Sequence, residues 1–188
     1  MTRTLIYMFH PDPARSRANA ALARAAATLP GVEVIDMQAE CMDPAKPYGD
    51  GAAEAARLLT ADRIVLQFPL QWYSTPPLLK AWQDAVLTRM FYIRYEAEGR
   101  RLEGTPLMIA ATAGNLPEAY RPGGANLFAM TELFAPLRAT AHRCRLDWAE
   151  PFLLYRAGDL TPEQLEQAGA RYAATLARWI ASPLERVA

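Results

Sequence analysis

Short blocks of consecutive apolar residues alternate along this chain with longer stretches in which apolar positions recur every three or four residues. The blocks at 4–9 (Thr-Leu-Ile-Tyr-Met-Phe), 32–36, 64–68 and 106–112 carry the pattern of strands buried on both faces. A fifth strand falls within 144–155, broken near Glu150 and Pro151. Between the blocks, the spacing predicts helices. One runs over 17–28, capped by Ser16, with Ala18, Leu22, Ala25, Ala26 and Leu29 on its apolar face. An irregular connector around Pro44, Pro47 and Gly49 leads to an alanine-rich helix over 52–59. Another helix starts at Pro76 and Pro77 with Thr75 as N-cap, and shows Leu78, Leu79, Trp82, Ala85 and Val86 on one side. An aromatic segment, 91–95, then runs into a polar turn at 98–101. A further helix is expected over 124–133, reaching toward Pro136. Thr161, Pro162, Glu163 and Gln164 form a capping box that opens a terminal helix on Leu165, Ala168, Tyr172, Leu176 and Trp179.

Five strand patterns alternating with helices predict an α/β fold: a doubly wound, five-stranded parallel sheet with helices on both faces. At 188 residues, without repeats or a low-complexity linker, residues 1–188 read most simply as one domain. In such sheets a ligand binds beyond the carboxyl ends of the strands, where the strand order reverses. Three loops meet that description: 10–16, 69–75 and 112–120. The middle one is the most unusual. Pro69 stops a buried strand, Pro76 starts a helix, and Leu70, Gln71, Trp72 and Tyr73 lie between. A rigid loop with flat side chains and free backbone N–H groups suits one edge of a planar ring.

Composition narrows the partners. Lys plus Arg and Asp plus Glu are both 20, so no basic stripe argues for nucleic acid. Cys41 and Cys144 have neither metal spacing nor a disulfide framework, which fits a reducing compartment. The chain enters its first strand directly, and no stretch approaches the ~20 apolar residues of a membrane span. A soluble, cytoplasmic protein is the expectation.

Taken together, His10-Pro11 with Ser16-Arg17-Ala18-Asn19, the run from Gln67 to Ser74, and Thr112-Ala113-Gly114 followed by Tyr120 resemble the flavodoxin-like NAD(P)H:quinone oxidoreductases. The bacterial branch that includes the ancillary proteins of glutathione-gated potassium efflux systems is especially similar. The resemblance covers nearly the whole chain, and its middle motif is the most specific. It implies a flavodoxin-like fold binding FMN, with FAD as the larger possibility, and NAD(P)H as hydride donor. His10, Ser16, Arg17 and Asn19 would hold the flavin phosphate by side chain or backbone at a helix N-terminus. Pro69, Leu70, Gln71, Trp72 and Tyr73 would lie along the ring, with backbone N–H groups toward N5 and O4. The N–H groups of Ala113 and Gly114, with the Thr112 hydroxyl, would stabilise negative charge near N1 and O2. Tyr120 would act in catalysis by handling a proton at the O2 side.

Each assignment has a plainer counterpart. Ser16 can simply cap a helix and His10 can be a loop histidine. Trp72 and Tyr73 can be core or dimer contacts, and Tyr120 a surface tyrosine at a helix start. Animal relatives carry a histidine six residues after that tyrosine; Asn126 stands there in this chain and takes up no proton. His142 reads as a buried histidine, Cys144 as an inert thiol, and Arg89 and Arg94 as solvated helix-end arginines. The resemblance further implies a homodimer and a small quinone-like acceptor reduced by two electrons in a ping-pong cycle. The main alternative is a regulatory subunit associated peripherally with a membrane potassium-efflux transporter. A one-electron carrier is the other, although such chains are usually shorter and more acidic.

Overall fold

The computed structural model describes residues 2–41 and 50–184; the connector expected around Pro44, Pro47 and Gly49 lies outside them. The sheet order is β2-β1-β3-β4-β5, built from β1 (Thr4–Met8), β2 (Val32–Asp36), β3 (Arg63–Pro69), β4 (Pro106–Thr112) and β5 (Asp147–Trp148). A further piece, β6 (Phe152–Leu154), also pairs with β4. All these pairings are parallel. The fifth position is thus one strand split in two around Pro151, which has no N–H for a ladder.

Strand residues alternate between two apolar layers. Leu5, Tyr7, Leu66, Phe68 and Ile109 face one, together with Trp82, Val86, Met90 and Phe134. Ile6, Val65, Met108 and Ala110 face the other, against α1 (Ala18–Ala26) and α8 (Pro162–Ala181). Two short helices, α2 (Met37–Glu40) and α3 (Gly51–Leu58), follow β2. The capping box at the start of α8 forms as expected. Gln164 N–H donates to Thr161 Oγ1 at 3.3 Å, and Thr161 N–H donates to Gln164 Oε1 at 2.9 Å.

Three details differ from the sequence pattern. First, α4 (Pro77–Trp82) takes Pro76, not Thr75, as its cap, without a side-chain hydrogen bond. Second, the helix does not stop after its apolar stripe. It continues through π-helical turns at Gln83–Leu87, Arg89–Ile93 and Tyr95–Gly99 into α5 (Arg100–Leu102). Arg94 N–H bonds to the carbonyl of Arg89 at 2.8 Å, five residues back. Gly99 is required there, because a Cβ would lie 2.5 Å from the Met90 carbonyl oxygen. Third, no helix spans 124–133. Gly123 and Leu127 take left-handed conformations (φ 76° and 64°), which end any helical path. Helix instead forms at α6 (Met130–Leu133) and α7 (Ala135–Arg143). Pro136 sits at the start of α7, where its missing N–H leaves no hydrogen bond unmade.

Candidate functional site

The three loops singled out from the sequence emerge from the carboxyl ends of β1, β3 and β4, which are neighbours in the sheet. Direct bonds tie them together. Phe9 N–H donates to the Gln67 carbonyl at 2.8 Å, and Leu70 N–H to the Thr112 carbonyl at 2.7 Å.

In the first loop, His10 Nδ1 accepts the Asp12 N–H at 3.1 Å, so the imidazole is neutral on that side. Burial lowers its pKa despite the nearby Asp12 and Asp36 carboxylates. Ser16 Oγ accepts the Ala20 N–H at 3.2 Å, as an N-terminal cap does. The Arg17 guanidinium reaches away, to the Leu160 carbonyl at 2.8 Å. The backbone N–H groups of Arg17, Ala18 and Asn19 have no acceptor among the described residues. They form an open helix N-terminus, which favours an anion.

The second loop is a tight turn. Gln71 and Ser74 exchange N–H···O bonds of 2.9 Å in both directions. Between them Trp72 and Tyr73 have φ of 44° and 65°, the left-handed pair of a type I′ turn that Gly and Asn normally fill. Two large aromatics held there are strained, and strain of this kind concentrates at ligand sites. Trp72 is 92% exposed. The turn commits the N–H groups of Leu70 and Gln71 within the protein, whereas those of Trp72 and Tyr73 have no acceptor among the described residues.

The third loop departs from the expectation in part. Ala113 N–H donates to the Leu154 carbonyl at 2.8 Å, and the Thr112 hydroxyl accepts the Asn19 side-chain amide at 2.9 Å. The Ala113 N–H is therefore not free toward a ring, and the Thr112 hydroxyl is buried at 3% exposure with its proton still to place; the exposed Gly114 N–H has no acceptor among the described residues. Tyr120 is half-buried, and burial raises its pKa, partly offset by a backbone hydrogen bond from Asn115. Its ring packs on Tyr155 with centroids 5.7 Å apart. The Tyr73 hydroxyl donates to Asn126 Oδ1 at 3.4 Å, a long bond that joins the second loop to the third.

The structure thus brings the three expected loops together, with several of the expected donors already committed within the protein. Asn19 is 2% exposed and its side-chain amide is turned inward to Thr112, which leaves its backbone N–H as the donor without an acceptor among the described residues. Tyr155 escaped notice, although it follows β6 at the same end of the sheet and the strand-end rule reaches it. Elsewhere, His142 is exposed on the last turn of α7 rather than buried. Cys144 is buried, and burial pushes its thiol up to about 11, leaving it unreactive. Arg89 is not a solvated cation but pairs with Glu98 at 2.8 Å. A cleft of about 930 Å³ opens at the opposite end of the sheet, where Arg145 pairs with Glu103 at 3.1 Å and Arg100 with Glu96 at 2.9 Å. Its cations are largely matched by carboxylates, so it lacks the open donors of the loop site.

The family model described as flavodoxin-like fold matches residues 2–177. The chain belongs to the flavodoxin-like fold family. This flavodoxin-like chain is 37% identical over 182 residues to the glutathione-regulated potassium-efflux system ancillary protein KefG of Cronobacter sakazakii, covering 97% of this chain and 94% of that one. A solved structure described as an NADPH-quinone reductase from P. pentosaceus is 28% identical, with a TM-score of 0.77 over 93% of this chain and 97% of that one. The general stress protein 14 of Treponema denticola, solved in complex with FMN, is 29% identical, with a TM-score of 0.83 over 94% of this chain and 98% of that one.

Proposed function

We propose that this protein is an FMN-dependent NAD(P)H oxidoreductase that reduces a quinone-like acceptor by two electrons in a ping-pong cycle. The observation that carries the reading is the set of free N–H donors on three adjoining loops: Arg17, Ala18 and Asn19, then Trp72 and Tyr73, then Gly114. A flavin mononucleotide needs an anion site at one end and in-plane donors along one edge of a planar ring, and these residues fit it. When bound, FMN supplies the hydride chemistry, accepting from NAD(P)H and delivering to the acceptor.

The chain's own residues do the rest. The N-terminus of α1 would hold the phosphate through backbone N–H groups, with His10 beside it. The Trp72 and Tyr73 N–H groups would hold one edge of the ring. The Gly114 N–H would stabilise negative charge developing on the ring. Trp72 and Tyr73 offer a wall on which the donor and then the acceptor stack in turn, holding each in reacting geometry. Tyr120, whose pKa burial raises, would keep its phenolic proton available to donate to the bound ring. Asn126 cannot relay that proton, so it passes between Tyr120 and solvent or acceptor. The exposed Tyr92 and Ile93 supply apolar surface for the expected homodimer. Sedimentation of the flavin-loaded protein as a single-chain species would remove that element.

The test is anaerobic mixing of flavin-loaded protein with NADH or NADPH, followed by a benzoquinone. Bleaching of the flavin absorbance by the nucleotide and its return with the quinone are expected; no bleaching with either nucleotide refutes the enzyme. A second reading, a regulatory subunit for a potassium-efflux transporter, is favoured by the likeness to KefG along nearly the whole chain. Co-purification with a membrane antiporter, without any NAD(P)H oxidation, would support it instead.

A further inference from the structure

Three polar side chains lie under the site, all but sealed from solvent: Gln67 is 0%, Asn19 2% and Thr112 3% exposed. They form a chain of hydrogen bonds. Gln67 Nε2 donates to the Asn19 carbonyl at 2.9 Å, and Asn19 Nδ2 donates to Thr112 Oγ1 at 2.9 Å. The links join residues 48 and 93 positions apart in sequence. One residue belongs to each site-forming element: Gln67 to β3 just before the second loop, Asn19 to the N-terminus of α1, and Thr112 to the last position of β4. The register places Gln67 opposite Ala110 and Pro69 opposite Thr112, so Gln67 and Thr112 share the sheet face that packs on α1.

We propose that Gln67 is a positioning residue, the end of a buried strut that fixes the phosphate-binding helix terminus relative to the two ring-binding loops. The assignment rests on the flavin site described above. Gln67 is fully enclosed. Its Oε1 has no hydrogen-bond partner, which is destabilising for a buried acceptor. An apolar side chain of the same length would therefore suit this core position at least as well. The amide's one strong bond grips the main chain of Asn19, whose own N–H is among the free donors heading α1. In FMN the phosphate and the ring are joined by a ribityl chain of limited reach. Both ends bind together only when the helix terminus and the loops keep a fixed separation. Riboflavin, which lacks the phosphate, uses the ring loops alone and is indifferent to it.

The experiment compares FMN and riboflavin affinities, by fluorescence quenching, in apo wild-type protein and in Gln67→Met, with the melting temperature of each. Gln67→Met is expected to weaken FMN about tenfold. Riboflavin affinity should stay within about twofold and the melting temperature should not fall. Equal weakening of both flavins, or no change in FMN, overturns the strut. Failure of wild-type protein to bind either flavin instead overturns the function proposed above. Should Gln67→Met not fold, Thr112→Val and Thr112→Ser give the same reading. Val removes the hydroxyl that Asn19 grips and should lose FMN selectively, while Ser should restore it. If Val weakens riboflavin as much as FMN, Thr112 acts directly on the ring and the strut is wrong.

Discussion

Trp72 and Tyr73 sit in backbone conformations that β-carbon-bearing residues avoid, and Trp72 has almost no packing to compensate. Trp72→Gly should therefore stabilise the apo protein, by about 1 kcal/mol from relieved strain, while weakening flavin binding and raising the KM for NAD(P)H. A urea midpoint that moves down would contradict this reading of the turn. Tyr120→Phe removes the phenol proposed to donate a proton, so turnover should fall by about 100-fold while FMN is retained. Equal losses of turnover and FMN affinity would make Tyr120 a binding residue only. His10 gives a pH dependence. Its folded pKa lies below the ordinary value because of burial, so the unfolded chain binds its proton first as pH falls. The stability this contributes is fully present above about pH 6.5 and is lost as pH falls through the lowered folded value. His10→Asn should flatten the decline in melting temperature over that acidic range; an unchanged slope would place the effect elsewhere.

Among the elements, those buried on both faces were the most legible. Residues 64–68 form an almost continuous apolar run because β3 lies mid-sheet, and Gln67 stood out as its one polar interruption. What Gln67 grips was not legible, since its partner lies 48 residues away and no local pattern encodes that contact. The π-helical continuation of α4 was hidden for a different reason. The switch from i→i+4 to i→i+5 bonding is made by backbone groups, and the order of apolar side chains does not encode it. α7 was missed because Pro136 reads as a stop and serves as a start. The loops themselves were visible from their prolines and aromatics, but which N–H groups stay free depends on pairings such as Ala113 with Leu154. Gly99→Ala tests the tight π-helical segment. The added Cβ would meet a main-chain oxygen that has little room to move, so a loss of about 1–3 kcal/mol is expected in urea unfolding. A neutral substitution would mean that the segment relaxes easily.

At the scale of the molecule, the strand order 2-1-3-4-5 places a topological switch between β1 and β3, and the first two loops flank it. The third loop, from β4, lies beside them. Two apolar layers and a buried chain of polar side chains join the three loops, and in the proposed function the backbone carries recognition while side chains provide the stacking wall and a phenol. The account therefore depends on one ligand being held at both ends by these loops. Titration of FMN into apo protein, followed by flavin fluorescence, tests it most directly. Saturable, stoichiometric quenching that inorganic phosphate weakens is the predicted result; fluorescence that stays at the value of free FMN would contradict it.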